Sequence, residues 1–216
     1  MIDPSINVKD ELNGVKGLLH YLSRFSSLIG EKILEEVGGE IRRQGYLTYD
    51  QLLEISDWKA GHRNRRNVRK NENQKVVEIT KNALSFDDDK SRIKTLCWPN
   101  LNGVRVPVAS TILTFYDPER YGVIDQHTSR SLYRNRGVLE DVCGSSGFFE
   151  KKKLTGFTVS DYLEYLRIIR KVAKILSKSI GRHFTVREVE KALWQEDKEN
   201  GGKLSQIPQK YHRLDR

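Results

Sequence analysis

A chain of 216 residues with 37% hydrophobic and 31% charged residues is long enough for one large domain or two small lobes, and polar enough to be well solvated. No run approaches the roughly 18 uninterrupted apolar residues of a membrane span, and the start MIDPSINVKDELNG lacks the basic-then-apolar order of a secretory signal. Cys97 and Cys143 are too few for a disulfide scaffold or a four-thiolate metal site, so a cytoplasmic protein is expected, nucleoid-associated if prokaryotic. Thirty-eight Lys and Arg against 29 Asp and Glu leave a net charge of +9, which favours a polyanionic partner without identifying one.

In chain order, Leu12, Val15, Leu18, Leu19, Leu22 and Phe25 recur at helical spacing. The stretch Ile33-Leu34-Val37-Ile41 predicts a second amphipathic helix interrupted by Gly38-Gly39. Thr48-Tyr49-Asp50-Gln51 fits a capping box that opens a short apolar helix through Leu52, Leu53 and Ile55. A basic, Asn-rich segment follows from Asp57 to Lys70. Val76, Val77, Ile79, Ala83 and Leu84 predict a helix closed by the acidic turn Asp87-Asp88-Asp89; Ile93 and Leu96 begin another, which Pro99 stops.

Tyr162, Leu166, Ile169, Ala173 and Leu176 form one stripe of a long helix. Thr185-Val186-Arg187-Glu188 is a second capping box, leading to Val189, Ala192 and Leu193. Residues 196–216 read as a polar, mobile tail. Strand-like alternation is scarce, so the expected class is all-α. Trp98 and Trp194 are expected in the core or between lobes, Tyr133 in the core, and both cysteines as inert thiols.

The segment Leu101 to Arg134, LNGVRVPVASTILTFYDPERYGVIDQHTSRSLYR, carries the most information. Leu101 to Arg105 read as a tight connection between two helices, with Gly103 allowing a backbone conformation that other residues resist. Pro107 suits the first turn of the next helix. Val108, Ile112 and Phe115 make a buried face, Ala109 and Ser110 allow close helix approach, and Asp117-Pro118 ends the helix. Tyr121 to Ile124 then deliver Asp125 to the head of a helix from Gln126 to Arg134, where free amides and the helix dipole favour an ionised carboxylate.

In these residues the chain resembles the helix-hairpin-helix DNA glycosylases of the endonuclease III type. Their hairpin typically reads Leu-Pro-Gly-Val-Gly before an Ala-containing helix, and an aliphatic-Val-Asp-x-His-x-x-Arg segment lies about one helix further on. Leu101, Gly103, Val104, Ala109, Leu113, Asp125, His127 and Arg130 fall in register with it, and the resemblance covers roughly residues 48 to 134. It implies two helical lobes: a hairpin lobe of about 46–140, and a second lobe of about 1–45 plus 150–195, with a catalytic cleft between them. Three positions depart from the pattern. Arg105 replaces the second hairpin glycine; Pro107 stands where bifunctional members carry the Schiff-base lysine; and the iron–sulfur cysteines are missing.

The resemblance implies a monofunctional DNA glycosylase that hydrolyses the N-glycosidic bond of a damaged or modified base flipped from duplex DNA, in base-excision repair. Its partner would be lesion-bearing double-stranded DNA, and it would act as a monomer with no metal and no organic cofactor. Breaking that bond builds positive charge on the sugar, so an anionic Asp125 is the expected catalytic group. Backbone amides across Leu101, Asn102, Gly103, Val104, Arg105 and Val106 would hold a phosphate, with Arg63, Arg65 and Arg66 as further DNA contacts. Gln126, His127 and Arg130 are expected as support residues, His127 and Arg130 binding neighbouring carbonyls or Asp125 itself. Trp58, Trp98 and His62 are candidates for stacking.

From the residues alone, Asp125 also fits an ordinary helix cap and the Lys59–Lys70 segment a solvated face. Other readings also stay open. One is a bifunctional glycosylase/lyase with an amine from Lys94 or Lys151. Another is a non-catalytic DNA-binding protein, and a third an RNA-directed one.

Overall fold

In a computed structural model, residues 8–25, 28–144, 146–150 and 155–201 are described. Among them every regular element is helical, and no helix is long and apolar enough to cross a membrane. In chain order the helices are α1 (Val8–Arg24), α2 (Leu28–Gln44), α3 (Tyr49–Ala60), a 3₁₀ turn (Gly61–Asn64), α4 (Arg65–Val68), α5 (Asn73–Ser85) and α6 (Asp89–Leu96). They continue with α7 (Val106–Tyr116), α8 (Gln126–Arg134), α9 (Arg136–Cys143), α10 (Gly147–Glu150), α11 (Val159–Ile180) and α12 (Val186–Asn200).

The predicted boundaries follow from local chemistry. Both capping boxes form: Thr48 accepts from the Gln51 amide at the head of α3, and Thr185 accepts from the Glu188 amide at the head of α12. Asp88 starts α6, its side chain accepting from Ser91 N–H, so the acidic turn opens a helix as well as closing α5. Helix α6 stops at Leu96, ahead of Pro99, and α7 stops before Asp117-Pro118.

Helix α7 lies at the centre, against α2, α3, α6 and α11. The expected face of Val108, Ile112 and Phe115 is buried, but so are Ala109, Leu113 and the hydroxyl residues between them. A helix buried on every side must satisfy its own polar groups. Ser110 and Thr111 donate to the Pro107 carbonyl at 2.8 and 2.9 Å, and Thr114 to that of Ser110 at 2.8 Å.

Four expectations are corrected. Helix α2 runs unbroken through Gly38-Gly39. Gly38 serves a close helix crossing: a Cβ there would lie 2.4 Å from the Phe115 carbonyl oxygen. Helix α12 continues to Asn200, burying Glu196 and Asp197 that read as the start of a tail; residues 202–216 lie outside the described residues. Trp98 is 67% exposed rather than in the core, on the loop between α6 and α7. Tyr133 is half-buried, with the Arg136 guanidinium 4.4 Å from its ring centre.

Candidate active site

Two helices hold the segment that carries Asp125. The Tyr165 hydroxyl of α11 donates to the Val123 carbonyl at 3.0 Å, and Ile124 N–H donates to Ser110 Oγ of α7 at 3.2 Å. Asp125 follows as the N-cap of α8. Its Oδ1 accepts from Thr128 N–H at 2.9 Å, while its own amide donates to Thr128 Oγ1 at 3.1 Å. Its Oδ2 accepts from Lys59 Nζ at 2.8 Å. The two side chains are only 11% (Lys59) and 17% (Asp125) exposed. Burial opposes ionisation of Asp125, but the Lys59 ammonium, His127 and the Thr128 amide outweigh it and hold the carboxyl below its ordinary range.

Asp125 and Lys59 line a cleft of about 860 Å³ together with Phe25, Trp58, Trp194, Arg187 and Glu190. Trp58 is braced edge-on by Phe115 at 5.5 Å, and Trp194 packs near Phe25 at 5.7 Å and His127 at 5.6 Å. Arg187 sits 5.8 Å from the Trp58 ring and 5.9 Å from that of Phe25, ion-paired to Glu31 and Glu190. The arrangement sets an anion, an amine and aromatic side chains around one opening.

Besides the effect of the His127 charge on Asp125, His127 and Arg130 bond a second carboxylate, Asp197. His127 Nδ1 lies 2.8 Å from Asp197 Oδ2, and Arg130 Nε donates to both oxygens of Asp197 at 3.0 and 2.9 Å. Arg134 Nη2 adds a bond of 2.7 Å. Together they fasten α8 to α12. Gln126 lines the cleft beside Asp125.

Of the proposed DNA-contact residues, Leu101, Val104 and Val106 are buried in the core, and the backbone of Leu101 and Val104 is paired within the turn, Val104 N–H donating to the Leu101 carbonyl at 3.3 Å. Gly103 adopts φ +76°, and a Cβ there would lie 2.9 Å from Val68 Cγ2. The turn is moored from α4 and its flank. Asn64 Nδ2 donates to the Gly103 carbonyl at 2.8 Å, and Asn71 bonds Asn102 through both of its backbone groups. The Asn102 amide is thereby occupied, whereas no acceptor for the amides of Gly103, Arg105 or Val106 occurs among the described residues. Arg105 and Arg66 are exposed; Arg63 is exposed and lines the cleft. Arg65 is engaged by Asp57, with Nε and Nη2 at 2.7 and 2.5 Å from Oδ2, and that pairing holds the Asp57 carboxyl low.

Lys94 is exposed on α6 and does not line the cleft, and Lys151 lies outside the described residues. Cys97 and Cys143 are raised to about 11 by burial, so both remain thiols at neutral pH. Among the described residues, no group of three or more His, Cys, Asp and Glu side chains is placed to hold a metal ion. His62 is exposed and close to Asp57.

Sequence reasoning missed Lys59 and Arg187. A signal for Lys59 was present: it follows Leu52, Ile55 and Ser56 at helical spacing, on the buried stripe of α3. A lysine on such a stripe needs a buried partner. Arg187 gives a weaker sign: Glu190 stands one turn on, but its other partner, Glu31, lies 156 positions away.

The chain matches no protein-family model, no curated protein and no solved structure.

Proposed function

We propose that the protein is a DNA glycosylase that hydrolyses the N-glycosidic bond of a damaged or modified base flipped out of duplex DNA, as a step of base-excision repair. The observation that carries this reading is the anionic Asp125 opening onto an aromatic-lined cleft of about 860 Å³. Loss of the base leaves positive charge on the deoxyribose, and a fixed carboxylate beside the sugar stabilises that charge and orients the attacking water. Trp58 and Trp194 in the cleft lining suit a flipped base, and flipping costs a few kcal/mol that contact with them offsets.

In this reading α6, the turn at Gly103 and α7 act as a helix-hairpin-helix. The amides of Gly103, Arg105 and Val106 bind a phosphate, with Arg105, Arg66 and Arg63 nearby. Two helical lobes flank the cleft, the protein works as a monomer in the cytoplasm or on the nucleoid, and Pro107 supplies no amine. Base release is therefore by water.

The test is a panel of duplexes, each bearing one oxidised, deaminated, mismatched or alkylated base, resolved after alkali. Release of one base class by the wild type and not by Asp125→Asn supports the reading. A panel with no base released, despite duplex binding, overturns it.

A further inference from the structure

Helix α11 turns one side to the core and the other to solvent, and its charge is sorted between them. Tyr162, Tyr165, Ile169, Val172 and Leu176 are buried, and Tyr165 reaches the segment that carries Asp125. At 3.6 residues per turn, Lys171, Lys174 and Lys178 fall on the side opposite this stripe. All three are exposed, and none lines the cleft. From Arg167 to Ile180 the helix carries five cations and no acid. Two of the five are engaged within the protein: Arg167 pairs with Glu164 and donates to the Cys143 carbonyl, and Arg170 pairs with Asp89. The three lysines form no ion pair or hydrogen bond with any described residue. Like charges one turn apart repel, at Lys171 and Lys174 and again at Lys174 and Lys178, so their counter-charge comes from outside the chain.

The spacing and composition of the row decide what supplies it. From Lys171 to Lys178 the row runs about 10 Å along the helix axis, a length over which one strand of B-DNA presents about three phosphates. Between its ends only the lysines are exposed, so the row lacks the apolar anchor of a protein interface and the apolar face that a membrane surface would take up. We propose that Lys171, Lys174 and Lys178 form a second DNA-contact surface, which holds the phosphate backbone of another duplex segment while the first lies at the cleft and the hairpin turn. The proposal rests on the duplex-binding part of the reading above and not on base excision. Point charges on flexible stems hold phosphate without reading bases, so the second segment is taken whatever its sequence. Because the row and the cleft lie on opposite sides of α11, one molecule joins two stretches of duplex and passes from one to the other without releasing both.

The experiment uses the full chain and undamaged duplexes. One duplex is immobilised and loaded with protein, unbound protein is washed away, and a second, fluorescent duplex is added. Wild type is expected to capture the second duplex, and capture per retained protein should fall about 40-fold between about 50 and 200 mM salt, as three phosphate contacts require. The triple variant Lys171→Glu, Lys174→Glu, Lys178→Glu should stay on the immobilised duplex and lose capture by more than about 10-fold. The triple arginine variant keeps the charges and should capture as wild type does. Capture that survives the charge reversal overturns the proposal. Wild type that is retained on the first duplex without capturing a second also overturns it, and leaves the duplex-binding reading intact. Protein that binds no duplex removes both. Capture of labelled polyglutamate in preference to DNA would assign the row to an acidic protein and overturn the proposal.

Discussion

The side-chain amide of Asn71 pairs with the backbone of Asn102 at both ends: Oδ1 accepts from its N–H and Nδ2 donates to its carbonyl, each at 2.8 Å. Asn71 is itself buried and also donates to the Val68 carbonyl. Asn71→Ala leaves these groups without partners, at a cost of about 1–3 kcal/mol. The urea midpoint should fall accordingly. Affinity for duplex DNA should fall equally for all sequences, because a loosened turn loses phosphate contacts rather than base contacts. Unchanged affinity by fluorescence anisotropy across several salt concentrations would remove the turn from the DNA interface.

Asp125→Asn keeps an N-cap of nearly equal quality but leaves the buried Lys59 ammonium without its counter-charge, so stability should fall by about 3–5 kcal/mol in urea unfolding. Base release should drop by about 10²–10³-fold, the range seen when one charge-stabilising group is lost, while DNA binding holds or tightens. The acid limb of the wild-type reaction follows from the lowered carboxyl. The anion should persist through the ordinary aspartate range, with activity lost only at lower pH. Lys59→Met removes the cation and leaves the burial, which raises the carboxyl. Its acid limb should therefore move to higher pH in single-turnover rate profiles.

Asp197 is fully withdrawn from solvent and faces His127, Arg130 and Arg134. Burial opposes its ionisation, but bonds from His127, Arg130 and Arg134 outweigh this and hold it far below the usual carboxylate range. Its folded value lies below its unfolded value, so its contribution is complete above about pH 4 and is lost as pH falls further. Asp197→Asn should cost about 3–5 kcal/mol at neutral pH by leaving buried cations without a counter-charge. The gap from wild type in urea unfolding should narrow at pH 3. A constant gap would assign the loss to shape rather than charge.

Adjacent glycines should respond in opposite directions. Gly38→Ala drives a Cβ to 2.4 Å from the Phe115 carbonyl and should destabilise by about 1–3 kcal/mol as the helices part. At Gly39 the nearest atoms are the arginine tips of Arg42 and Arg43 at 3.9 Å, so Gly39→Ala should stabilise by up to about 1 kcal/mol. Thermal melts of the two single variants decide the matter.

Most of the helices were legible because their signals are local. Capping boxes at Thr48 and Thr185, the proline stop at Pro99 and the periodic stripe from Tyr162 to Leu176 each need only neighbours in sequence. What went unread depends on distant partners. Gly38-Gly39 looked like a break because its reason, the Phe115 carbonyl, lies on another helix. Glu196 and Asp197 looked like solvated tail because the cations that bury them sit on α8. At the candidate site, Asp125 and its cap could be read from one segment. Its ion pair with Lys59 bridges 66 positions and appears only when α3 meets α8.

The bond between His127 and Asp197 spans 70 positions, so it also sets an order of events at the ribosome. A nascent chain halted between Arg134 and Asp197 carries α8 with His127, Arg130 and Arg134 lacking their carboxylate partner. The helix that carries Asp125 gains its anchor on α12 only after translation has moved well past it, so the cleft is completed late in synthesis.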